Sequence, residues 1–152
     1  MLILLILMSQ QLPSAGHIIC RHGSHVLIIR RSHDLDTWPG FWSFPGGKIE
    51  DWEFLREWAI RETLEEVWVR VSQDDIVENI FVETRTVQWV KLYYFWVTEN
   101  WENMPENIEE DKHTDMIWCN MDELPSPFVP HHLCAIDCLK SGNTYTELDV
   151  AP

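Results

Sequence analysis

The chain has few positive charges. Only 11 lysines and arginines stand against 25 aspartates and glutamates, which gives the 152 residues a formal net charge of −14 at pH 7. A protein that binds a nucleic-acid polymer needs a basic surface, because it must neutralise a row of phosphates. The composition therefore argues against such a partner. A small phosphate compound is still compatible with it, since a metal ion can bring an anion to an acidic protein.

Paired cysteines and long apolar runs are also missing. The four cysteines, at positions 20, 119, 134 and 138, form no CxxC pair and show no zinc-ligand spacing, so we expect free thiols in a reducing compartment. The apolar run MLILLILM at 1–8 is too short to span a bilayer and has no basic residues before it. We therefore expect a cytoplasmic protein with no membrane partner, present as a monomer or a homodimer.

The remaining composition predicts one globular domain, because 45% of the residues are hydrophobic and 24% are charged. We place the domain at 16–142, between an N-terminal extension (1–15) and a C-terminal tail (143–152). A loop at 37–47 is rich in proline and glycine, and Ser141-Gly142 ends the last helix. Residue patterns predict strands at 17–21, 25–31, 76–83, 87–97 and 115–120, and helices at 53–67 and 130–140. Such a mixture of strands and helices indicates an α/β or α+β sandwich.

The first of these helices carries an unusual acidic face. Glu62, Glu65 and Glu66 fall within roughly 100° of one another around the helix axis. Like charges three or four residues apart repel, each pair costing a few tenths of a kcal/mol. Carboxylate oxygens on a rigid element are the ligands that Mg²⁺ prefers, and bound ions would offset the repulsion. The pattern therefore predicts a metal site.

The spacing around this face carries a family resemblance. The stretch GGKIEDWEFLREWAIRETLEEVWV at 46–69 resembles the Nudix box, Gx5Ex7REUxEExGU. The resemblance extends less specifically over about 16–142 and is strongest to the MutT-like nucleoside triphosphate pyrophosphohydrolases. It implies an α/β/α sandwich with a central mixed β-sheet.

The same resemblance implies an enzyme that depends on Mg²⁺, or on Mn²⁺. The implied reaction converts a (deoxy)nucleoside 5′-triphosphate, such as an oxidised one, into the monophosphate and pyrophosphate, as in sanitising the nucleotide pool. Two alternatives stay open. One is hydrolysis of a nucleoside diphosphate sugar or ADP-ribose, and the other is a non-catalytic module that only binds a nucleotide.

Residue roles follow from the resemblance position by position. Glu62, Glu65 and Glu66 correspond to the metal-binding glutamates of the family, and the general base is Glu62 or Glu66. Gly46 corresponds to a residue whose backbone carbonyl is a further ligand. Arg61 corresponds to one half of a structural ion pair.

Four further groups of residues complete the expected site. The partner of Arg61 in that ion pair is expected to be Glu53. A further metal ligand is expected from the loop after the aromatic strand, where Glu109 is our choice and Glu106 and Glu110 are competitors. Arg30 and Lys48 are expected to contact the substrate. Trp42, Phe44 or Trp118 could stack on a base, although core packing is the competing explanation for these aromatic residues.

Tryptophan replaces a small residue at three positions of the pattern. Trp68 stands where the box has its last glycine, and Trp52 and Trp58 also occupy positions that are small in the family. If the backbone at 68 has positive φ, a bulky residue there is strained by about 1–2 kcal/mol. Neither the pattern nor its chemistry explains why these residues are tryptophans.

Overall fold

A computed structural model describes residues 15–48, 54–87 and 89–150. Within them it contains eight strands, two α-helices and a short 3₁₀ helix at Gln73–Asp75. The strands are β1 (Ala15–His22), β2 (His25–Arg31), β3 (Trp42–Ser43), β4 (Gly46–Lys48), β5 (Ile76–Arg85), β6 (Val90–Thr98), β7 (His113–Asn120) and β8 (Tyr145–Asp149). The helices are α1 (Leu55–Val67) and α2 (Pro130–Ser141).

The described strands form one mixed sheet. Its main path runs β3-β2-β1-β6-β5-β8, with β4 paired to β1 and β7 paired to β2. Strand β1 runs parallel to β6, and β5 runs parallel to β8, whereas the other pairs are antiparallel. The central strand β1 is therefore held on both sides, and residues at its start lie beside the middle of β6.

The two helices cover opposite faces of the sheet. Alternating residues of each strand point to opposite faces, so β1 and β6 feed two separate cores. Ile18, Leu27 and Trp96 pack with α1 in one core, while Ile19, Phe95 and residues of α2 form the other. The arrangement confirms the predicted α/β/α sandwich with a central mixed sheet, with the helix at 53–67 and the helix at 130–140 on opposite sides.

Every predicted strand and helix is present in the described residues, with ends shifted by a few positions. Helix α2 ends as predicted, because Gly142 adopts the left-handed conformation (φ 77°) that glycine favours after a helix. Strand β8 was not predicted and lies in the segment that the sequence analysis treated as a tail. Residues 1–14 of the predicted extension (1–15), together with Trp52 and Glu53, lie outside the described residues.

Two expectations about the whole chain can be compared with the structure. All four cysteines are free thiols, as predicted. Among residues 15–48, 54–87 and 89–150, neither helix has the length and hydrophobicity needed to cross a bilayer.

Candidate active site

The acidic face of α1 turns partly inward in the folded protein. Helix α1 contains no proline or glycine, and its side chains Trp58, Ala59 and Val67 are buried against the sheet. Glu66 lies on the edge of this buried stripe and is only 6% exposed. Glu62 is half-buried, whereas the Glu65 side chain is 49% exposed. The three carboxylates therefore share a face of the helix but sit at different depths.

Glu66 is tied to the loop before α1. The amide of Gly46 donates a hydrogen bond of 3.0 Å to the Glu66 carboxylate. Gly46 has φ 128°, and a Cβ there would lie 2.1 Å from the carbonyl oxygen of Gly16. Only glycine fits this position. The glycine predicted as a metal-site residue is thus in contact with the predicted metal-binding helix, through its amide.

Burial and mutual repulsion act together on the buried carboxylates. Burial raises the pKa of Glu66 well above its ordinary value, and the nearby charges of Glu62 and Glu109 raise it further, while the Gly46 hydrogen bond and Arg31 oppose the shift. The pKa of Glu62 is also raised, first by burial and then by Glu65, with Arg61 opposing. In both residues burial is the largest cause, and repulsion between neighbouring carboxylates adds to it.

Arg61 occupies the outer side of the same face. Its guanidinium lies 2.6 Å from the Glu65 carboxylate and 3.7 Å from that of Glu62. It also lies 4.5 Å from the ring centroid of Trp58, a cation–π contact. Trp58 therefore has a structural partner at a position where the family has a small residue. The predicted pairing of Arg61 with Glu53 stays a prediction, since Glu53 is outside the described residues.

The loop before β7 brings Glu109 to this face. The amides of Glu106 and Ile108 donate to the carbonyls of Val67 and Glu66, at 2.9 and 3.2 Å, so the loop closes the C-terminal end of α1. The Glu109 carboxylate then acts on both Glu62 and Glu66, and it pairs with Lys112 at 3.1 Å. Of the three candidate loop glutamates in the described residues, Glu109 is the one whose charge reaches both helix carboxylates.

The donor chemistry of this cluster fits a hard divalent cation. Carboxylates of Glu62, Glu66 and Glu109 could supply oxygen ligands. Burial, followed by the charges of neighbouring carboxylates, raises the pKa values of Glu62 and Glu66. The described residues hold no preformed group of three or more metal-ligating side chains. Two of the side chains instead turn to cations, because Glu65 pairs with Arg61 and Glu109 pairs with Lys112. The carboxylates could converge on one ion only if these two ion pairs opened.

A cavity of about 280 Å³ adjoins Gly46 and is lined by residues of β1, β2, β3, β4, β6, β7 and α2 and of the loop at 37–38. Three cationic side chains line it, those of Arg31, Lys48 and Lys91. Half of its other lining residues carry aromatic or imidazole rings, namely His17, Trp38, Phe44, Tyr93, His113, His131 and His132. The cavity thus offers positive charge and flat apolar surfaces next to an acidic cluster.

The predicted substrate residues divide between this cavity and other places. Lys48 and Phe44 line the cavity. Trp42 packs in the core on the α2 side of the sheet. Arg30 donates to the carbonyl of Gly40 at 3.1 Å and faces Asp115 at 3.9 Å, and Trp118 stacks on Trp101 at 5.5 Å. A substrate role for these last three residues stays a prediction from the sequence alone.

The sequence analysis missed Arg31, which connects the two parts of the site. Arg31 lines the cavity, and the opposite charges of Arg31 and Glu66 act on each other: Arg31 lowers the pKa of Glu66. Neighbouring strand residues point to opposite faces, so of the pair Arg30-Arg31 only one could face the cavity. Counting that alternation from buried Ile29 would have identified Arg31, although an irregularity in the pairing with β7 falls between these two residues.

The cavity histidines were also missed, and no local signal could have found them. His17, His113, His131 and His132 come from β1, β7 and α2, and only the fold brings them together. Burial lowers the pKa of His17 to about 4 and that of His131 to about 3. Their imidazoles are therefore neutral at pH 7 and can both donate and accept hydrogen bonds.

Comparisons with known proteins agree with this geometry. The NUDIX domain matches residues 10–137. The chain is 34% identical over 94 residues to a Proteus vulgaris protein named 8-oxo-dGTP diphosphatase, an alignment covering 62% of this chain and 81% of that one. An Escherichia coli protein of the same name is 28% identical over 126 residues, covering 80% and 93%.

Solved structures give the same fold. The MutT NUDIX hydrolase from Burkholderia pseudomallei superposes with a TM-score of 0.69 at 19% identity, covering 82% of this chain and 95% of that one. The E. coli ORF135 protein gives 0.71 at 21% identity, covering 88% and 91%. The NUDIX match and the 8-oxo-dGTP diphosphatase relatives define the class of protein as a hydrolase of the α/β/α type. This chain belongs to the NUDIX family and is a Nudix hydrolase of MutT-like character.

Proposed function

We propose that the protein hydrolyses a (deoxy)nucleoside 5′-triphosphate to the monophosphate and pyrophosphate, with an oxidised guanine nucleotide as the preferred substrate. The reaction consumes one water molecule. The water oxygen bonds to a phosphorus atom of the α–β anhydride, the bond from that phosphorus to the bridging oxygen breaks, and one proton is released. Such a reaction removes damaged nucleotides from the pool. We place it in the cytoplasm, which agrees with the free thiols of the described structure.

The observation that carries this proposal is the adjacency of two opposite charge environments. Glu62, Glu66 and Glu109 form an acidic cluster, and Arg31, Lys48 and Lys91 line a cavity. Gly46 joins the two, because its amide donates to Glu66 and it also lines the cavity. A triphosphate chain carries several negative charges, and its base is flat and apolar on both faces. The cavity suits the base and the sugar phosphate, while the acidic side suits phosphates that arrive with cations.

Mg²⁺, with Mn²⁺ as the alternative, is the cation that this proposal requires. Glu62, Glu66 and Glu109 would hold it, with Glu65 as a further ligand once released from Arg61, and with Gly46 as a backbone ligand. When bound, such an ion neutralises phosphate charge and lowers the pKa of a bound water. The chain itself positions the carboxylates through the Gly46–Glu66 hydrogen bond and the loop contacts of Ile108.

A proton acceptor for the attacking water is available in the same cluster. A general base works best when its pKa lies near the operating pH. The pKa values of both Glu62 and Glu66 are raised from the ordinary range, so either carboxylate can take the proton. Glu66 is the more buried of the two, and Glu62 is the more open to water.

The relatives support a triphosphate over the alternative substrates. The proteins named 8-oxo-dGTP diphosphatase are 28–34% identical to this chain. Structures named ADP-ribose pyrophosphatase share 15–19% identity, with TM-scores of 0.57 to 0.66, and likeness at that level extends to the fold alone. Three retained glutamates on α1 also favour turnover over binding without hydrolysis.

The test measures which phosphate product is released. The purified chain with Mg²⁺ is given 8-oxo-dGTP, dGTP and ADP-ribose, and pyrophosphate and orthophosphate are assayed separately. We expect pyrophosphate, fastest from 8-oxo-dGTP, and loss of turnover in Glu62→Gln. Glu57→Gln, an exposed glutamate on the same helix that faces Gln73, is the matched control and should keep full activity. Orthophosphate as the product, faster cleavage of ADP-ribose, or no turnover at all would overturn the proposal.

A further inference from the structure

Trp38 has an unfavourable backbone conformation at the mouth of the cavity. Its φ is 48°, in the left-handed region, which costs a bulky residue about 1–2 kcal/mol. Pro39 follows it, and a residue before proline is further restricted toward extended conformations. A strained residue of this kind persists only where the surrounding structure holds it.

A set of hydrogen bonds holds the loop that carries Trp38. The Arg31 guanidinium donates to the carbonyl and to the hydroxyl of Thr37, both at 2.9 Å. The Gly40 amide donates to the carbonyl of Arg31 at 3.0 Å, and the Phe41 amide donates to the carbonyl of Trp38 at 3.2 Å. The loop is therefore fixed to β2 on both sides of the strained residue.

The strain is not compensated by burial of the indole. Trp38 is 40% exposed, whereas Trp42, four residues later, is 8% exposed within the core. The Trp38 ring contacts Phe41 at 5.2 Å and His131 at 6.2 Å, tilted or edge-on in both cases. Those contacts leave a large aromatic surface beside the cavity that Trp38 helps to line.

We infer that Trp38 is the stacking platform for the planar base of the nucleotide. The inference rests on the proposed function and names a specificity-determining residue for the same site. Base–aromatic stacking contributes substantially to binding and accepts any base with a π-face. Trp38 thus selects for substrates with an aromatic base, and the polar groups of the cavity select among bases.

Arg31 fixes the distance between this platform and the phosphate side of the site. The same guanidinium that bonds to Thr37 is charge-coupled to Glu66. A base stacked on Trp38 would therefore lie against a loop that is hydrogen-bonded to the same side chain whose charge acts on Glu66. Positioning of this kind affects substrate affinity more than the chemical step.

The experiment compares ligands with and without a base. Dissociation constants for 8-oxo-dGMP and for deoxyribose 5-phosphate are measured by calorimetry for the wild-type chain and for Trp38→Ala. We expect Trp38→Ala to weaken 8-oxo-dGMP about tenfold and to leave deoxyribose 5-phosphate unchanged. Steady-state kinetics should show a KM for 8-oxo-dGTP raised about tenfold with kcat within twofold, and Trp38→Phe should restore most of the affinity.

Tyr145→Ala is the matched control, because Tyr145 is a 46% exposed aromatic residue that lies outside the cavity. It should leave both dissociation constants unchanged. If Trp38→Ala fails to fold, fluorescence decides: 8-oxo-dGMP should quench less tryptophan emission in Trp38→Phe than in the wild type at equal saturation. Unchanged 8-oxo-dGMP binding in Trp38→Ala, equal weakening of both ligands, or equal quenching would overturn the inference. Since binding is measured without turnover, these outcomes are separate from a failure to release pyrophosphate.

Discussion

Glu66 is the residue in which the structural and chemical demands on this chain conflict most directly. It is a carboxylate at 6% exposure with two acidic neighbours, Glu62 and Glu109, and one hydrogen bond from Gly46. A buried charge with this surrounding is unfavourable in the absence of a cation. The residue therefore lowers the stability of the metal-free protein, and a bound cation would offset this cost.

Glu66→Gln should separate the effect of Glu66 on the stability of the metal-free protein from its effect when a cation is bound. The amide keeps the size of the side chain and can still accept from Gly46, while one buried charge is removed. In EDTA we expect the melting temperature to rise by about 1–3 °C, from a few tenths of a kcal/mol for each relieved pair. In Mg²⁺ we expect the wild type to gain more stability than the variant, and kcat to fall by ~10² or more.

Thermal melting in EDTA and in Mg²⁺, alongside pyrophosphate release, provides the measurement for Glu66→Gln. Glu57→Gln serves again as the control and should change neither quantity. A variant that melts lower in EDTA and keeps its turnover would mean that Glu66 has a structural role only.

Trp68 is a second residue whose side chain conflicts with its backbone conformation. Strain was expected there if the backbone at 68 has positive φ, and the structure has that conformation. Its φ is 61°, its amide donates to the carbonyl of Leu64, and it ends α1 in the left-handed conformation. Glycine is the residue that this position favours. The side chain is 44% exposed, so packing recovers only part of the backbone strain.

Trp68→Gly should therefore stabilise the protein. The expected gain is about 0.5–1 kcal/mol, because the relieved backbone strain is partly cancelled by the greater freedom of glycine in the unfolded chain. Urea unfolding measures the change. Trp68→Asn is the control, because asparagine tolerates the same φ without adding that freedom. A clear fall in stability in both variants would show that the indole packs usefully and that strain is not the dominant effect.

At the scale of elements, the spacing within α1 identified the acidic residues because a helix has a fixed period. The depth of each residue could not be predicted, since Glu65 and Glu66 are adjacent in sequence and differ in burial only through packing of α1 on β1 and β4. Strand β8 was missed for a different reason. Its sequence, YTELD, has a single aliphatic residue, and it is held by parallel backbone pairing to β5.

Removing β8 should show whether the domain ends before it, as the sequence analysis expects. A chain that ends after Gly142 loses the pairing with β5, the stacking of Tyr145 on Phe81 at 5.5 Å and the Tyr145–Glu83 hydrogen bond of 3.1 Å. It also exposes β5 as an unpaired edge, which favours strand addition between molecules. We expect a melting temperature lower by several degrees and concentration-dependent association in sedimentation velocity.

The matched control for this truncation is Tyr145→Ala in the full chain, which keeps the backbone pairing and removes the ring. It should lie between the wild type and the truncated chain in melting temperature and should stay unassociated. Equal stability of truncated and full chains would support a domain that is complete at residue 142.

At the scale of the whole molecule, the site combines one part that is local in sequence and one that is not. The acidic face lies within five residues, so the sequence was sufficient to identify it. The cavity takes its walls from β1, β2, β4, β6, β7 and α2, and no spacing rule connects His17 with His131. Only the packing of α2 against the sheet brings the His17 ring within 4.4 Å of the His132 ring.

That assembly makes the stability of the whole protein sensitive to acid. Burial is the main cause that lowers the pKa of His17 and His113 to about 4 and of His131 to about 3, and it lowers the pKa of His132 as well. Their unfolded pKa is about 6.5. Unfolding therefore takes up protons below that pH, so stability is fully present above about pH 6.5 and is lost as pH falls toward the folded values.

The raised pKa values of Glu62 and Glu66 act in the opposite sense, since these folded carboxyls hold protons that the unfolded chain releases. Four histidines outweigh two glutamates, so we expect the free energy of unfolding to fall steadily between about pH 6.5 and 4.5. For His17 alone, a shift from 6.5 to about 4 corresponds to about 3 kcal/mol. Urea titrations at half-unit pH steps should reveal this slope in the metal-free protein.

His17→Leu tests whether the buried imidazoles cause the acid sensitivity. The Nδ1 of His17 is buried without a hydrogen-bond partner among the described residues, so its loss removes an unsatisfied polar atom. The variant should be at least as stable as the wild type at pH 5, with a slope of stability against pH that is shallower by about one proton. His25→Leu, at an exposed position on β2, should leave the slope unchanged. If both variants keep the wild-type slope, unfolding does not add a proton to His17, and this buried imidazole is not a cause of the acid sensitivity.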